Sequence, residues 1–200
     1  MKSRLLFAIF GLLFSGCALG PILSHDNGRS LGDSNGSIGL NVTNQGYYAL
    51  KASYGFDENL DIGVELEALA LGLRGKYSFI NQENGYSTAV VGGLGTTLGG
   101  SYYYVQSANS YRTGKWEPFG SLRITKVSYS ASDITDANTG DILTSYPASS
   151  FTYGTIFIGS KYHFSEKFNL SLELSSFIAM ESGLTFANSV MPSLGLGVGF

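Results

Sequence analysis

From Ser37 to Phe200 the chain consists of short segments in which apolar and polar side chains alternate, separated by turn-forming residues. A period of two sends successive side chains to opposite faces of a strand, so each segment specifies a sheet with one apolar and one polar face. Tyr48, Leu50, Ala52, Tyr54 and Phe56 share one face of the first clear strand, opposite Tyr47, Ala49, Lys51, Ser53 and Gly55. After Asp57-Glu58-Asn59 the next strand places Leu60, Ile62, Val64, Leu66 and Ala68 opposite Asp61, Gly63, Glu65 and Glu67. A third sets Leu71, Leu73, Tyr77 and Phe79 against Arg74, Lys76 and Ser78.

Composition decides what lies against the apolar faces. Charged residues make up 14% of the chain, where about a quarter is usual for a soluble domain. Tyr and Phe number 13 each and Gly 27, so something other than water is expected around part of the molecule. Beyond the N-terminal region no run of 18 apolar residues exists, which leaves a membrane-spanning helix unsupported. In a bilayer the remaining structure that satisfies its own backbone is a closed β-barrel, apolar face to lipid and polar face to lumen. The formal net charge is -3, so the basic footprint of a nucleic-acid binder is absent and no nucleic-acid partner is expected.

Register follows from turn length. A three-residue turn pairing Phe56 with Leu60 puts Lys51 directly across from Glu65. A two-residue turn at Leu69-Ala70 then puts Arg74 across from Glu65 on the other side, so opposite charges are expected to meet in the lumen. Lys51, Glu65, Glu67, Arg74, Lys76, Arg123, Lys161 and Glu173 are the candidate lumen charges. They either line a narrow permeation path or fill the lumen by pairing with one another, the second being the favoured expectation.

The run Lys161-Tyr162-His163-Phe164-Ser165-Glu166-Lys167-Phe168-Asn169-Leu170 repeats the style of Tyr54 to Ile62. Both look like the tight periplasmic turns of small bacterial outer-membrane β-barrels. Phe168, Leu170, Leu172, Leu174 and Ile178 share the next face, opposite Asn169, Ser171 and Glu173. The last strand alternates Leu194, Leu196, Val198 and Phe200 with Gly195, Gly197 and Gly199. Its terminal Phe resembles the C-terminal signal that the outer-membrane assembly machinery reads in this superfamily. The resemblance covers 37–200 and implies an all-β, antiparallel up-and-down transmembrane barrel in the bacterial outer membrane, with outer-membrane lipids and the barrel assembly machinery as partners. Short turns near Glu58, Gln82, Lys115 and Glu166, with both termini periplasmic, imply about ten strands; eight is the alternative if the segment from Ser37 to Val42 and one other weak segment fail. The stretch from Ser87 to Tyr111 is blurred by glycine, and the longest outer connection runs from Ser132 to Ser149. Trp116, Tyr54, Phe56, Tyr77, Phe79, Tyr162, Phe164, Phe168 and Phe200 are expected as an aromatic girdle near the inner ends, with inward core aromatics as the competing reading.

At the N-terminus Lys2 and Arg4 precede an apolar run from Leu5 to Phe14, too short to span a bilayer and typical of a secretory signal. Phe14-Ser15-Gly16-Cys17 resembles the lipobox of bacterial lipoproteins, which implies a signal peptide over 1–16 and lipidation at Cys17. Cleavage after Ala18 or Gly20 stays open. As the only Cys, Cys17 excludes an internal disulfide. Residues 17–36, lipidated terminus and then Gly-, Ser-, Asn- and Asp-rich chain, read as a flexible tether ahead of the barrel domain at 37–200.

Asp133, Asp136, Asn138 and Asp141 supply oxygens of the type calcium takes, but their spacing is not that of an EF-hand, and a solvated acidic loop is the favoured reading. No metal or other cofactor is expected. Omptin-like proteases and lipid A deacylases need a His-bearing site toward the outer side, whereas this chain has His25 in the tether and His163 beside a predicted periplasmic turn. No catalytic residues are therefore assigned. The function expected is structural or surface-interacting, with an unknown surface partner. A narrow solute channel and a soluble lipid-anchored barrel or sandwich remain as alternatives; in the soluble case every apolar face would point inward.

Overall fold

The computed structural model describes residues 20–67, 69–135, 142–181 and 190–200. Cys17 and Ala68 fall outside this range, as do Asp136, Asn138 and Asp141; Asp133 is described only in its backbone. Ten antiparallel strands close into one barrel: β1 (Gly36–Thr43), β2 (Tyr48–Gly55), β3 (Leu60–Glu67), β4 (Ala70–Ile80), β5 (Gly85–Thr97), β6 (Gly100–Arg112), β7 (Trp116–Tyr129), β10 (Ser149–His163), β11 (Phe168–Ala179) and β12 (Val190–Gly199). The connection after β7 carries a separate hairpin, β8 (Ser132–Thr135) with β9 (Ile142–Tyr146). The segment from Ser37 to Val42 is thus a true barrel strand, and it closes the seam by pairing with β12, Ser37 opposite Gly199 and Val42 opposite Leu194.

Each strand hydrogen-bonds its sequence neighbours apart from the excursion between β7 and β10, so the wall is the up-and-down order that alternation and short turns encode. The turn after β2 forms as the sequence implies: the amide of Phe56 donates to the carbonyl of Leu60 at 2.7 Å, and the Asp57 side chain accepts from the amides of Asn59 and Leu60, both at 2.7 Å. Its counterpart after β10 repeats the geometry, with the Phe164 amide donating to Phe168 at 3.0 Å. These turns, with those at 81–84 and 113–115, define a short-turn end. The opposite, long-loop end carries the β8–β9 connection.

The apolar faces point outward. Leu50, Ile62, Val64, Leu71, Leu73, Leu94, Ile158 and Leu172 are all exposed. The aromatics Tyr54, Phe56, Tyr77, Phe79, Trp116, Phe164, Phe168 and Phe200 ring the short-turn end on the same outer surface. The half-buried Tyr162 lies between Trp116 and Phe164 of this ring and meets both edge to face, each pair of ring centroids 4.9 Å apart. The interior is mostly polar, with small apolar clusters such as Ile22, Leu23, Ala49 and Met191 in its long-loop half.

One expected register differs. Lys51 does stand opposite Glu65, but Arg74 stands opposite Gly63, and Glu65 faces Gly72. The pairing of Glu67 with Ala70 leaves positions 68 and 69 between them, so the turn begins one residue earlier than Leu69-Ala70 and Arg74 moves two positions along β3. The shift of two leaves every side chain on the face expected of it, and Ala70 takes a buried place beside Glu67 rather than a position in the turn.

Candidate functional site in the barrel lumen

The segment read as a flexible tether is not free chain. Residues 20–31 thread the lumen from its long-loop half to its short-turn end. Gly20 lies against Tyr102, Thr125 and Tyr153, and Arg29 reaches the turn between β4 and β5, where its guanidinium donates to the carbonyl of Glu83 at 2.8 Å. From there Ser34 and Asn35 join Gly55 and lead into β1. Both ends of the sheet, Gly36 and Gly199, therefore lie at the short-turn end, while the first described residue lies in the opposite half.

An extended segment inside a barrel has no ladder partner for its own amides and carbonyls, and each such group left unpaired away from water is costly. The wall charges supply the partners. Glu67 accepts from the amides of Ile22 and Leu23, the latter at 2.8 Å. Glu173 accepts from Ser24 at 3.1 Å and His25 at 2.5 Å. Lys51 donates to the carbonyl of Ser24 at 2.6 Å, Lys76 to that of Arg29, and Arg123 to that of Pro21 at 3.0 Å. Carboxylates hold N–H groups and cations hold carbonyls at these positions, while the Gly28 and Ser30 amides donate to the neutral Ser110 hydroxyl and Asn81 amide oxygen.

Side chains complete the fit. Asp26 forms an ion pair of 2.7 Å with Arg74 and lies 3.7 Å from Lys51. The His25 ring is clamped between Ser171 and Ser193, each hydroxyl 2.7 Å from a ring nitrogen. Ser30 donates to Asp61 at 2.6 Å, and Asp61 also pairs with Lys76 at 2.8 Å. Asn27 donates to Glu117 at 2.7 Å; the same carboxylate accepts from Ser110 at 2.9 Å and from His163 Nε2 at 2.7 Å.

Of the eight wall charges singled out in the sequence, Lys51, Glu65, Glu67, Arg74, Lys76, Arg123 and Glu173 are buried in the lumen and Lys161 is half-buried. They do not pair with one another as expected. Glu65 accepts instead from the phenols of Tyr102 and Tyr104, at 3.2 and 2.9 Å. Arg123 stacks 4.3 Å above the Tyr104 ring and donates to Gln106 at 2.8 Å. Leu194, Leu196, Val198 and Phe200 face outward with the glycines between them facing in.

His25, Asp26, Asn27 and Arg29 were invisible as site residues because a short Gly- and Asn-rich stretch carries no periodicity. Glu117 had a signal, since it alternates with outward Trp116 and so points inward. Among the described residues no group of three or more His, Cys, Asp or Glu side chains is placed to hold a metal ion.

Together these features define a closed β-barrel of inverted polarity, apolar outside and polar within, whose lumen is occupied by its own N-terminal segment. No protein-family model and no curated protein matches the chain. Similar solved structures include the N-terminal β-barrel domain of Pseudomonas aeruginosa OprF, at 14% identity over 84% of this chain and 99% of that one, with a TM-score of 0.44. KdgM porin is similar at 12% identity over 83% and 98%, TM-score 0.39. The attachment invasion locus protein Ail of Yersinia pestis is similar at 12% identity over 84% and 99%, TM-score 0.32.

Proposed function

We propose that this chain is an integral protein of the bacterial outer membrane, closed to solutes, with a structural or surface-interaction role and no catalytic activity of its own. The observation that carries the closed state is the threading of residues 20–31 through the lumen, with wall charges bonded to the thread's backbone. The apolar exterior and the aromatic ring at the short-turn end support insertion in a bilayer. They stand against a soluble, tethered protein, whose apolar faces would meet in a core.

In this reading the short turns face the periplasm, the β8–β9 hairpin projects outward as the contact surface, and the barrel assembly machinery recognises the Leu194, Leu196, Val198 and Phe200 edge. Export by residues 1–16 and lipidation of Cys17 belong to the same proposal, and the mass of the mature N-terminal peptide tests them.

Two measurements test the whole. Unboiled protein is expected to migrate differently from boiled protein and to resist carbonate and urea extraction from outer membranes; release into the wash overturns membrane integration. Purified protein in planar bilayers is expected to be electrically silent, and steady conductance would make it a narrow channel instead.

A further inference from the structure

At the short-turn end a cavity of about 640 Å³ remains between the N-terminal segment and a wall to which β10, β11, β12, β1, β2, β3 and β4 contribute. The alternation that turns Leu194, Leu196 and Val198 outward turns Gly197 and Gly199 inward, and Gly39 continues this face on β1; all three line the cavity, with the Asn169 side chain lying over Gly197.

On the side of β11, β12, β1 and β2 the lining groups are neutral hydrogen-bonding ones, Ser37, Asn41, Ser53, Asn169 and Ser171; of the cations that also line the cavity, Lys51, Arg74 and Lys76 are paired with Asp26 or Asp61, and Lys161 is not. Lys161 lies directly across β7 from Glu117, and an ion pair between them is the arrangement the register favours. That carboxylate is occupied by Asn27, Ser110 and His163. Among the described residues no carboxylate lies within ion-pair distance of the Lys161 ammonium, and no hydrogen-bond acceptor is assigned to it. Its nearest aromatic neighbour is Phe119, with the ring centroid 5.8 Å away. The other lysines of the lumen, Lys51 and Lys76, are already bonded to Asp26, Asp61 and thread carbonyls.

We propose that this cavity is a binding site for a small hydroxylated anion, one carboxylate or phosphate on a polyol body, with Lys161 as its counter-ion. A partly desolvated ammonium without a partner favours an anionic ligand. The surrounding hydroxyls and amides match a ligand whose remaining groups donate and accept hydrogen bonds, and a volume of this size fits the usual range of small-molecule sites. The site is a dead end when the thread is seated, so it holds its ligand rather than passing it. In that respect it rests on the closed-lumen reading.

The test is calorimetric titration of the detergent-folded full-length barrel with gluconate and glycerol 3-phosphate, with mannitol and glycerol as neutral controls. Both anions are expected to bind saturably and the polyols not. Lys161→Gln is expected to weaken binding about tenfold or more, Lys161→Arg to retain it, and Lys126→Gln, toward the long-loop end, to leave it unchanged. Without any variant, gluconate is expected to protect the Lys161 amine, and not that of Lys126, from reductive methylation read by mass spectrometry. Absence of saturation, equal binding of the neutral polyols, or equal methylation of Lys161 with and without anion overturns the site. A conducting wild-type barrel would overturn closure separately, since anion binding and protection at Lys161 are read without any bilayer current.

Discussion

Asp26 Oδ1 stands 2.7 Å from Arg74 Nη2, joining a residue outside the sheet to the middle of β4. Lys51 approaches the same carboxylate from β2 at 3.7 Å, so one aspartate bridges two cations of the wall. This cluster sits halfway along the thread and makes the strongest single prediction about closure.

Asp26→Ala removes the counter-charge of Arg74 and Lys51 together. Breaking a buried pair by deleting one partner costs about 3–5 kcal/mol, and here the cost falls on seating of the thread, because the sheet ladders are untouched. The variant is expected to keep the heat-dependent gel shift of a folded barrel, to lose protection of residues 20–31 against protease, and to show current steps in planar bilayers where the parent is silent. A silent, fully protected variant would mean that the thread holds without this cluster.

Gly28 offers a test that leaves every charge in place. A Cβ at this position would overlap the carbonyl of Ser87 on β5. The clash is with backbone, which cannot swing aside. Gly28→Ala is therefore expected to expose the thread to protease to a degree comparable with Asp26→Ala. Protection equal to the parent's would show that the thread does not pass this close to β5.

The outer surface is tested by charge. Leu73, in the middle of β4, is 61% exposed and points away from the lumen. If lipid surrounds it, Leu73→Arg costs about 2–4 kcal/mol at the bilayer midplane. The check is equilibrium unfolding of the barrel in phospholipid vesicles, where the same substitution on a water-exposed surface would fall within about 0.5 kcal/mol.

The seam between first and last strands ends in a reciprocal pair: the Gly36 amide donates to the Phe200 carbonyl at 2.9 Å, and the Phe200 amide donates to that of Gly36 at 3.0 Å. The Phe200 ring lies over Gly36, so closely that a Cβ there would overlap it. Deleting Phe200 removes both hydrogen bonds and the ring. It is expected to slow folding into vesicles and, in cells, to lower the amount of barrel in the outer membrane, measured by the fraction of protein showing the gel shift.

Much of the wall was legible because strand alternation is a local code read the same way in any sheet. Lys51, Glu65 and Glu67 faced inward as soon as Leu50, Val64 and Leu66 faced outward, and the Asp57 turn carried its own capping side chain. The one register error arose where no such marker exists. The turn between β3 and β4 has no Gly, Pro, Asn or Asp to mark its position, so burial of Ala70 decided between two registers that local pattern treats alike.

Pairing of the charges was not legible for a different reason. Lys51 is opposite Glu65 in register, yet Lys51 bonds to the thread and Glu65 to two tyrosines of β6, which lies three strands away from it. Contacts across a lumen depend on how the sheet closes, and no spacing along one strand encodes them.

What the sequence by itself determined is the alternating wall: about ten segments, with eight left open, the face taken by the side chains of the clearly alternating strands, and the ends at which short and long connections fall. All of this follows from backbone pleat and turn chemistry acting over a few residues. Only the tertiary structure decided the fate of residues 20–31. Outside a barrel, a polar stretch rich in Gly, Ser and Asn has too little apolar surface to order itself. Inside one, charged side chains from β2, β3, β4, β7 and β11 bond to it, and the cost of leaving those charges and its own backbone unpaired in a confined lumen makes the ordered thread the stable arrangement.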